Sequence, residues 1–230
     1  MKATVTYHRH SGFSVEIGEH LLLFDYWRGG LPIEAVEAAK YPIVFASHSH
    51  HDHYNEKVLE LKEHNEATRF IFSDDIDMPE YATAVKPMDV LELGDVTIRT
   101  FDSTDEGVSF WVETEGVTIF HAGDLNFWHW RDERGEDEIA VARQAFEDAL
   151  EPIVVMDMPI DIALFPVDMR LGTDYAEGAR VFLERCDVKH FFPMHMWDRV
   201  EAAESFAKEN EALSKIYVPK ENGMTFELEL

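Results

Sequence analysis

Thiol chemistry is almost missing from this chain: Cys186 is the single cysteine in 230 residues. That excludes an internal disulfide and suits a reducing compartment, so the expected location is the cytoplasm. Long apolar runs are missing too. None approaches the ~20 residues of a membrane-spanning helix, and no membrane partner is expected. Residues 1–7 enter an alternating strand pattern directly, which predicts a chain without a signal peptide. Positive charge is scarce: 20 Lys and Arg face 46 Asp and Glu, a formal charge of -26. A field of that sign opposes nucleic acid and anionic membranes, so no nucleic-acid partner is expected. The acidic stretches at 74–77 and 132–138 read as solvated loops and a helix start. Internal repeats, low-complexity linkers and domain boundaries are also lacking. With 46% apolar residues, residues 1–230 are expected to form a single domain with a substantial core.

Histidine is what the chain has in concentration. Four of its twelve fall within six residues, His48-Ser49-His50-His51-Asp52-His53. The pattern reads H-x-H-x-D-H and follows a short apolar run, 41–47, of the kind that makes a buried strand. A solvated polar loop accounts for one or two histidines. Four with an aspartate, at the end of a buried strand, point instead to a metal site, because imidazole and carboxylate are preferred ligands of zinc-like ions.

Along the chain, 3–9, 12–17 and 20–25 read as a strand meander turning at glycines. A short helix is expected at 33–40, a strand at 42–46, an amphipathic helix at 55–64 and a strand at 69–73. A strand pair follows at 90–101, then a polar loop from Asp102 to Gly107 and a hairpin of 108–113 with 117–120. That hairpin runs into His121-Ala122-Gly123-Asp124. A helix from about 138 to 150, a strand at 161–167, a helix at 175–185, a strand at 188–193, a helix at 201–214 and two terminal strands complete the reading. Strands first, then strands alternating with helices, favour an α/β fold of two sheets packed face to face with helices outside. Several strands end in ligand-type residues: 48–53, the 102–106 loop, Asp124 and His195. Asp25 also ends an apolar strand, as a site residue or as an ordinary turn aspartate.

These pieces together resemble the metallo-β-lactamase superfamily. The matching parts are the 48–53 motif, the Gly123-Asp124 pair, His195 within Phe192-Pro193-Met194-His195, and the opening segments Ser11-Gly12-Phe13 and Leu23-Phe24-Asp25. Ser47, Tyr54-Asn55 and Pro193-Met194-His195 are most similar to the branch that includes ascorbate-6-phosphate lactonase. The resemblance implies a four-layer αβ/βα sandwich with two divalent metal ions at one sheet edge. Zinc is the expected ion, with manganese or iron as alternatives. It assigns His48 and His50 to the first metal, Asp52, His53 and His195 to the second, and Asp124 to a bridge between them. A third histidine for the first metal is usual from the loop at 102–106, which here has none; Asp105, or else Asp102, is the expected replacement, with His121 in reserve. Carboxylate in place of imidazole hardens the site toward manganese or iron.

The expected activity is hydrolysis of a small-molecule lactone, ester, amide or phosphodiester by a metal-activated hydroxide. Asp52 is also the candidate catalytic residue, orienting the nucleophile and passing a proton to the leaving group. Trp128, His129 and Trp130 are expected to wall the substrate pocket. His51 points away from its neighbours in an extended chain and is read either as a support behind the ligands or as surface. Two other classes stay open: an iron-dependent oxidoreductase on the same fold, and a non-catalytic binding protein with a degraded metal site.

Overall fold

A computed structural model describes residues 1–197 and 199–230. The chain divides into two compact units, Met1–Lys86 with Lys220–Leu230, and Pro87–Pro219. Among the described residues each unit is built on one seven-stranded sheet.

The first unit opens with β1 (Lys2–Tyr7), β2 (Phe13–Ile17) and β3 (His20–Phe24). These are consecutive antiparallel neighbours, as the meander pattern predicts. Helix α1 (Ile33–Ala38) then leads to β4 (Tyr41–Ala46), which pairs parallel with β3. All of β3 is buried, and β4 is buried from Pro42 onward. Continuous apolar runs belong to parallel strands covered on both faces. The stretch expected as one amphipathic helix, 55–64, is a 3-10 turn (Glu56–Glu60) followed by the short α2 (Leu61–His64). Val58 and Leu61, three residues apart, are both buried, and three residues per turn keeps them on one side. They pack with Val36, Leu21, Leu23, Val44 and Phe70 in one apolar cluster; each such side chain contributes about 1.5–3 kcal/mol on burial. Parallel strands β5 (Arg69–Ser73) and β6 (Thr83–Val85) extend the sheet. β6 lacks a sequence pattern that would announce it.

The second unit begins with four antiparallel strands: β7 (Val90–Leu93), β8 (Val96–Phe101), β9 (Ser109–Thr114) and β10 (Val117–His121). Helix α3 (Glu136–Val154) starts on three acidic residues, a favourable charge at a helix N-terminus. It runs longer than the expected 138–150 because Ile153 is a further buried anchor. Strand β11 (Ile160–Pro166) pairs parallel with β10. Helix α4 (Glu177–Arg185) lays Phe182 against Phe120 and Phe165, with ring centroids 5.3 and 4.6 Å away. Strand β12 (Val188–Met194) pairs parallel with β11, in the register Pro166 to Met194. Helix α5 (Val200–Glu209) stops short of the expected 214 because the Asn210 amide donates to the Phe206 carbonyl and closes the last turn. Strand β13 (Lys215–Ile216) pairs parallel with β12. The chain then returns to the first unit for β14 (Thr225–Glu229), antiparallel to β1. Among the described residues no helix is long and apolar enough to cross a membrane.

Candidate metal centre

Except for Asp105, which follows the antiparallel β8, the ligand-type residues of each unit lie just past the C-terminal ends of parallel-paired strands, where α/β folds place their chemistry. The 48–53 motif follows β4, Asp124 follows β10 and His195 follows β12.

In the first unit the motif is held from beneath by Asp25, which is fully buried. Its Oδ1 accepts the Ser47 backbone N–H at 2.8 Å, and its Oδ2 accepts the Ser47 hydroxyl at 2.7 Å. The same oxygen accepts from His53 Nδ1 at 2.7 Å. With its proton committed to Asp25, Ser47 Oγ accepts from His48 Nδ1 at 2.9 Å. One carboxylate and one hydroxyl thereby set two imidazoles as Nδ1–H tautomers, the hold that metal-ligating histidines have. The rings of His48 and His53 lie 4.1 Å apart, and those of His48 and His50 4.6 Å. His10 Nε2 lies 3.3 Å from Asp52 Oδ2, and His10, Asp52 and His53 bring ligand atoms within 4.8 Å of one another. Burial alone would raise the Asp52 carboxyl, but the His10 hydrogen bond and the nearby His53 hold it well below the usual carboxylate range. The Ser49 N–H donates to Asp75 at 2.8 Å, which ties down the outer side of the motif. His51 is the outward member, with its side chain 83% exposed.

Backbone strain marks the same place. His10 and Asp25 both have positive φ, 50° and 44°, a conformation that costs a non-glycine residue of order 1–3 kcal/mol. Gly12 fits between them: a Cβ there would stand 3.0 Å from the carbonyl oxygens of His8, Arg9 and Asp25. The Ser11-Gly12 turn is therefore a close approach that only glycine makes comfortably.

In the second unit, Asp124 Oδ1 lies 3.4 Å from His195 Nε2. The other ring nitrogen, Nδ1, donates to Asp168 Oδ2 at 2.8 Å. Asp105 and Asp124 offer carboxylate oxygens within 4.8 Å of each other. Thr104 makes that proximity: its hydroxyl donates to the Asn126 carbonyl at 2.6 Å and accepts the Asn126 N–H at 2.9 Å. Asp102 is turned to its own loop, accepting from the Ser103 N–H. His121 is buried and accepts the Gly123 N–H at 3.1 Å, a local turn contact.

The aromatic segment after Asp124 divides. The Trp128 indole N–H donates to the Asp124 carbonyl at 2.8 Å, and its ring lies 5.5 Å from that of His195. Trp130 stacks on the far side of Trp128, with ring centroids 6.4 Å apart, so of the two indoles it is Trp128 that touches the site residues directly. His129 goes the other way. It is fully buried, its Nδ1 accepts the Arg131 N–H and its Nε2 donates to the Asp174 carbonyl. Both nitrogens serve the backbone, so His129 packs the loop. The physical reason is local: the Trp128 and His129 N–H groups donate to the Asn126 and Phe127 carbonyls at 3.1 and 2.8 Å, so the segment is a run of tight turns that sends His129 inward.

The donor set suits a hard or borderline divalent cation. Buried imidazoles are crowded against carboxylates, and each anchored ring is fixed through Nδ1 by an acceptor. Sequence reasoning passed over three supports, Asp75, Thr104 and Asp168, and left Asp25 and His10 undecided.

Comparison with known proteins bears on the family and the fold. The model of the Beta-lactamase superfamily domain matches residues 4–134, more than half of the chain, and the chain belongs to that superfamily. Over 227 residues it is 24% identical to a UPF0173 metal-dependent hydrolase of Pyrococcus furiosus, covering 89% of this chain and 90% of that protein. Among solved structures it is similar to Igni18, a metallo hydrolase of Ignicoccus hospitalis, at TM-score 0.71 and 19% identity over the full length of both chains. It also resembles CmlA, a diiron β-hydroxylase of Streptomyces venezuelae, at TM-score 0.63 and 10% identity, covering 99% of this chain and 54% of that one. The α/β fold that the resemblance implied is the fold found.

Proposed function

We propose that this protein is a metal-dependent hydrolase with two divalent ions, acting on a small-molecule lactone, ester, amide or phosphodiester in the cytoplasm. The observation that carries the reading is the anchored histidine: fully buried His53, held through Nδ1 by Asp25 at 2.7 Å. Membership of the superfamily and the metal-dependent hydrolase of Pyrococcus furiosus support it.

His48, His50, Asp52 and His53 in the first unit, with Asp105, Asp124 and His195 in the second, are the residues assigned to hold the ions. Zinc is the expected metal, and three carboxylates in the set also suit manganese or iron. Bound ions supply Lewis acidity and bring the pKa of water near neutrality. The residues do the rest. Asp25 and Ser47 keep His48 and His53 in one tautomer. Asp52, held as a carboxylate beside His10, orients the attacking water with its second oxygen and carries a proton to the leaving group. Trp128 and Trp130 offer flat apolar faces to the organic part of the substrate.

Elemental mass spectrometry on protein purified without chelator or histidine tag tests this, together with a panel of lactones and esters. About two equivalents of zinc or manganese with turnover is the expected result. A second reading, an iron-dependent oxidoreductase, draws on the fold shared with a diiron β-hydroxylase and on the carboxylate at Asp105. Bound iron with oxygen uptake and no hydrolysis would establish it instead. An empty site that refuses reconstitution would mark a binding protein.

A further inference from the structure

Asp168 sits one residue beyond Val167 at the end of β11, and His195 directly follows β12. The parallel register Pro166 to Met194, continued by the Val167 N–H donating to the Met194 carbonyl at 2.9 Å, brings the two side chains side by side. Asp168 is fully buried. Its Oδ1 accepts the Arg170 backbone N–H at 2.9 Å, which caps the 3-10 turn Met169–Leu171. Capping occupies only that oxygen. The other, Oδ2, accepts from His195 Nδ1 at 2.8 Å and from Arg170 Nε and Nη2 at 2.8 and 2.5 Å. The Arg170 guanidinium in turn lies over the Trp197 ring at 4.6 Å. Trp197 and Trp128 flank the His195 ring at 5.9 and 5.5 Å. His195 is thus held by two edge-on indole contacts and by its Nδ1 bond, although its own backbone sits at a strained φ of 62°.

We propose that Asp168 is a positioning residue: it fixes His195 as the Nδ1–H tautomer and turns Nε2 toward the position that Asp124 shares, with Arg170 and Trp197 bracing it from outside. The inference rests on the metal-dependent reading and goes beyond it, because it assigns a function to a residue outside the ligand set. Substitution by asparagine makes the logic testable. Both Asp168 oxygens accept from donors, so in either orientation the new amide NH2 meets an N–H group. With the amide N–H facing Nδ1, His195 is driven to the Nε2–H tautomer, which has no lone pair for an ion.

The experiment uses the full chain and zinc. Competition with a chromophoric chelator gives the zinc Kd, and long-range proton–nitrogen spectra of histidine-labelled protein give the His195 tautomer. We expect Nδ1–H in the wild type and a zinc Kd weaker by about 10–100-fold in Asp168→Asn. Asp161→Asn is the control. Asp161 is a buried carboxylate that accepts the Thr118 N–H and pairs with Lys189 away from the ligands, and its loss leaves the zinc Kd unchanged. Equal weakening in both variants, or wild-type affinity in Asp168→Asn, overturns the proposal and leaves the metal reading intact. A wild-type His195 in the Nε2–H form overturns it even if the variant does not fold. A wild type that takes up no zinc overturns both.

Discussion

The two units hold their ligand-type residues in different ways. The first gathers His48, His50, Asp52 and His53 within one short segment, over a single fully buried carboxylate, Asp25. The second draws Asp105, Asp124 and His195 from three loops, each held by its own device: Thr104 beside Asp105, the Trp128 indole on Asp124, and Asp168 with Arg170 on His195. Contiguity makes the first set legible and mutually dependent. Dispersion makes the second set separable, one support at a time. The superfamily match ends at residue 134 and so spans the first set but not His195.

The largest test of the comparison removes one of the residues assigned as ligands from the contiguous set. His53→Ala takes away the imidazole that Asp25 anchors, and its neighbour His48 loses a ring 4.1 Å away. Bound metal is expected to fall to about one equivalent or less, and hydrolysis by about a thousandfold or more, since several kcal/mol of charge stabilisation goes with the ion. Metal analysis and turnover on the same preparation check it; full metal content in the variant would break the idea that the segment acts as one ligand block.

Asp25→Asn comes next and sharpens the contrast with Asp168→Asn. Asp25 accepts three hydrogen bonds in a fully buried position. An amide there leaves at least one donor facing another, at about 1–3 kcal/mol in stability, and releases two histidines, at about 10–100-fold in metal affinity. Urea unfolding and zinc titration read the two parts. Asp168 is braced by Arg170, whose side chain is 45% exposed, so water can re-solvate that pair and its stability loss is expected to be the smaller. A larger loss at Asp168 would reverse the order of the two supports.

How much of this was readable from the sequence follows from the same contrast. Residues 48–53 announce themselves because ligand spacing and strand end coincide in one window. Asp124 and His195 stood out only as ligand-type residues after apolar strands, and their separate roles came from the resemblance, since each is a single residue with no local spacing. Asp168 was not readable. It is one carboxylate among 46 acidic residues, and its meaning comes from the β11–β12 register, a long-range pairing that no local pattern contains. Asp25 was half readable, as the end of an apolar strand, because its turn chemistry and its site chemistry use the same carboxylate. The strand and helix order survived well where apolar runs were continuous. It slipped at 55–64, where a three-residue spacing fits a 3-10 turn as well as an α-helix.

Acid sensitivity separates the regions again, with a smaller effect. His8, behind the His10 turn, is buried against Ser14 Oγ at 2.8 Å, and burial lowers it to about 4. Between about pH 4 and its unfolded value near 6.5 the unfolded chain binds the extra proton, so stability rises with pH across that window. The contribution is complete above 6.5 and lost as pH falls toward 4, roughly 3 kcal/mol in all. His129 in the second unit is also held down by burial, but its bond to the Asp174 carbonyl partly offsets this, so its slope is expected to be shallower. Urea midpoints of metal-free His8→Gln and wild type, taken from pH 4 to 7, check the claim: the variant's slope should be shallower than the wild type's across the window, and parallel curves would move the acid sensitivity elsewhere.

The smallest effect is expected inside the motif itself. His51 has the same chemistry as His48, His50 and His53 and stands among them, yet its side chain is 83% exposed and its Nδ1 lies 3.8 Å from Asp52 Oδ1. The difference is geometric. The segment is not extended there: residues 51–53 form a tight turn, closed by the His53 and Tyr54 N–H groups donating to the His50 carbonyl at 2.9 Å, and His51 on that turn leaves toward water. His51→Ala should therefore keep the full metal content and change turnover by no more than about twofold, the scale of a surface substitution. It would also leave Asp52 hydrogen-bonded to His10, which comes from a different turn. Loss of metal or a tenfold fall in turnover would mean that residue type alone, rather than direction and burial, selects the ligands of the contiguous set. The contrast between the two units would then rest on composition instead of geometry.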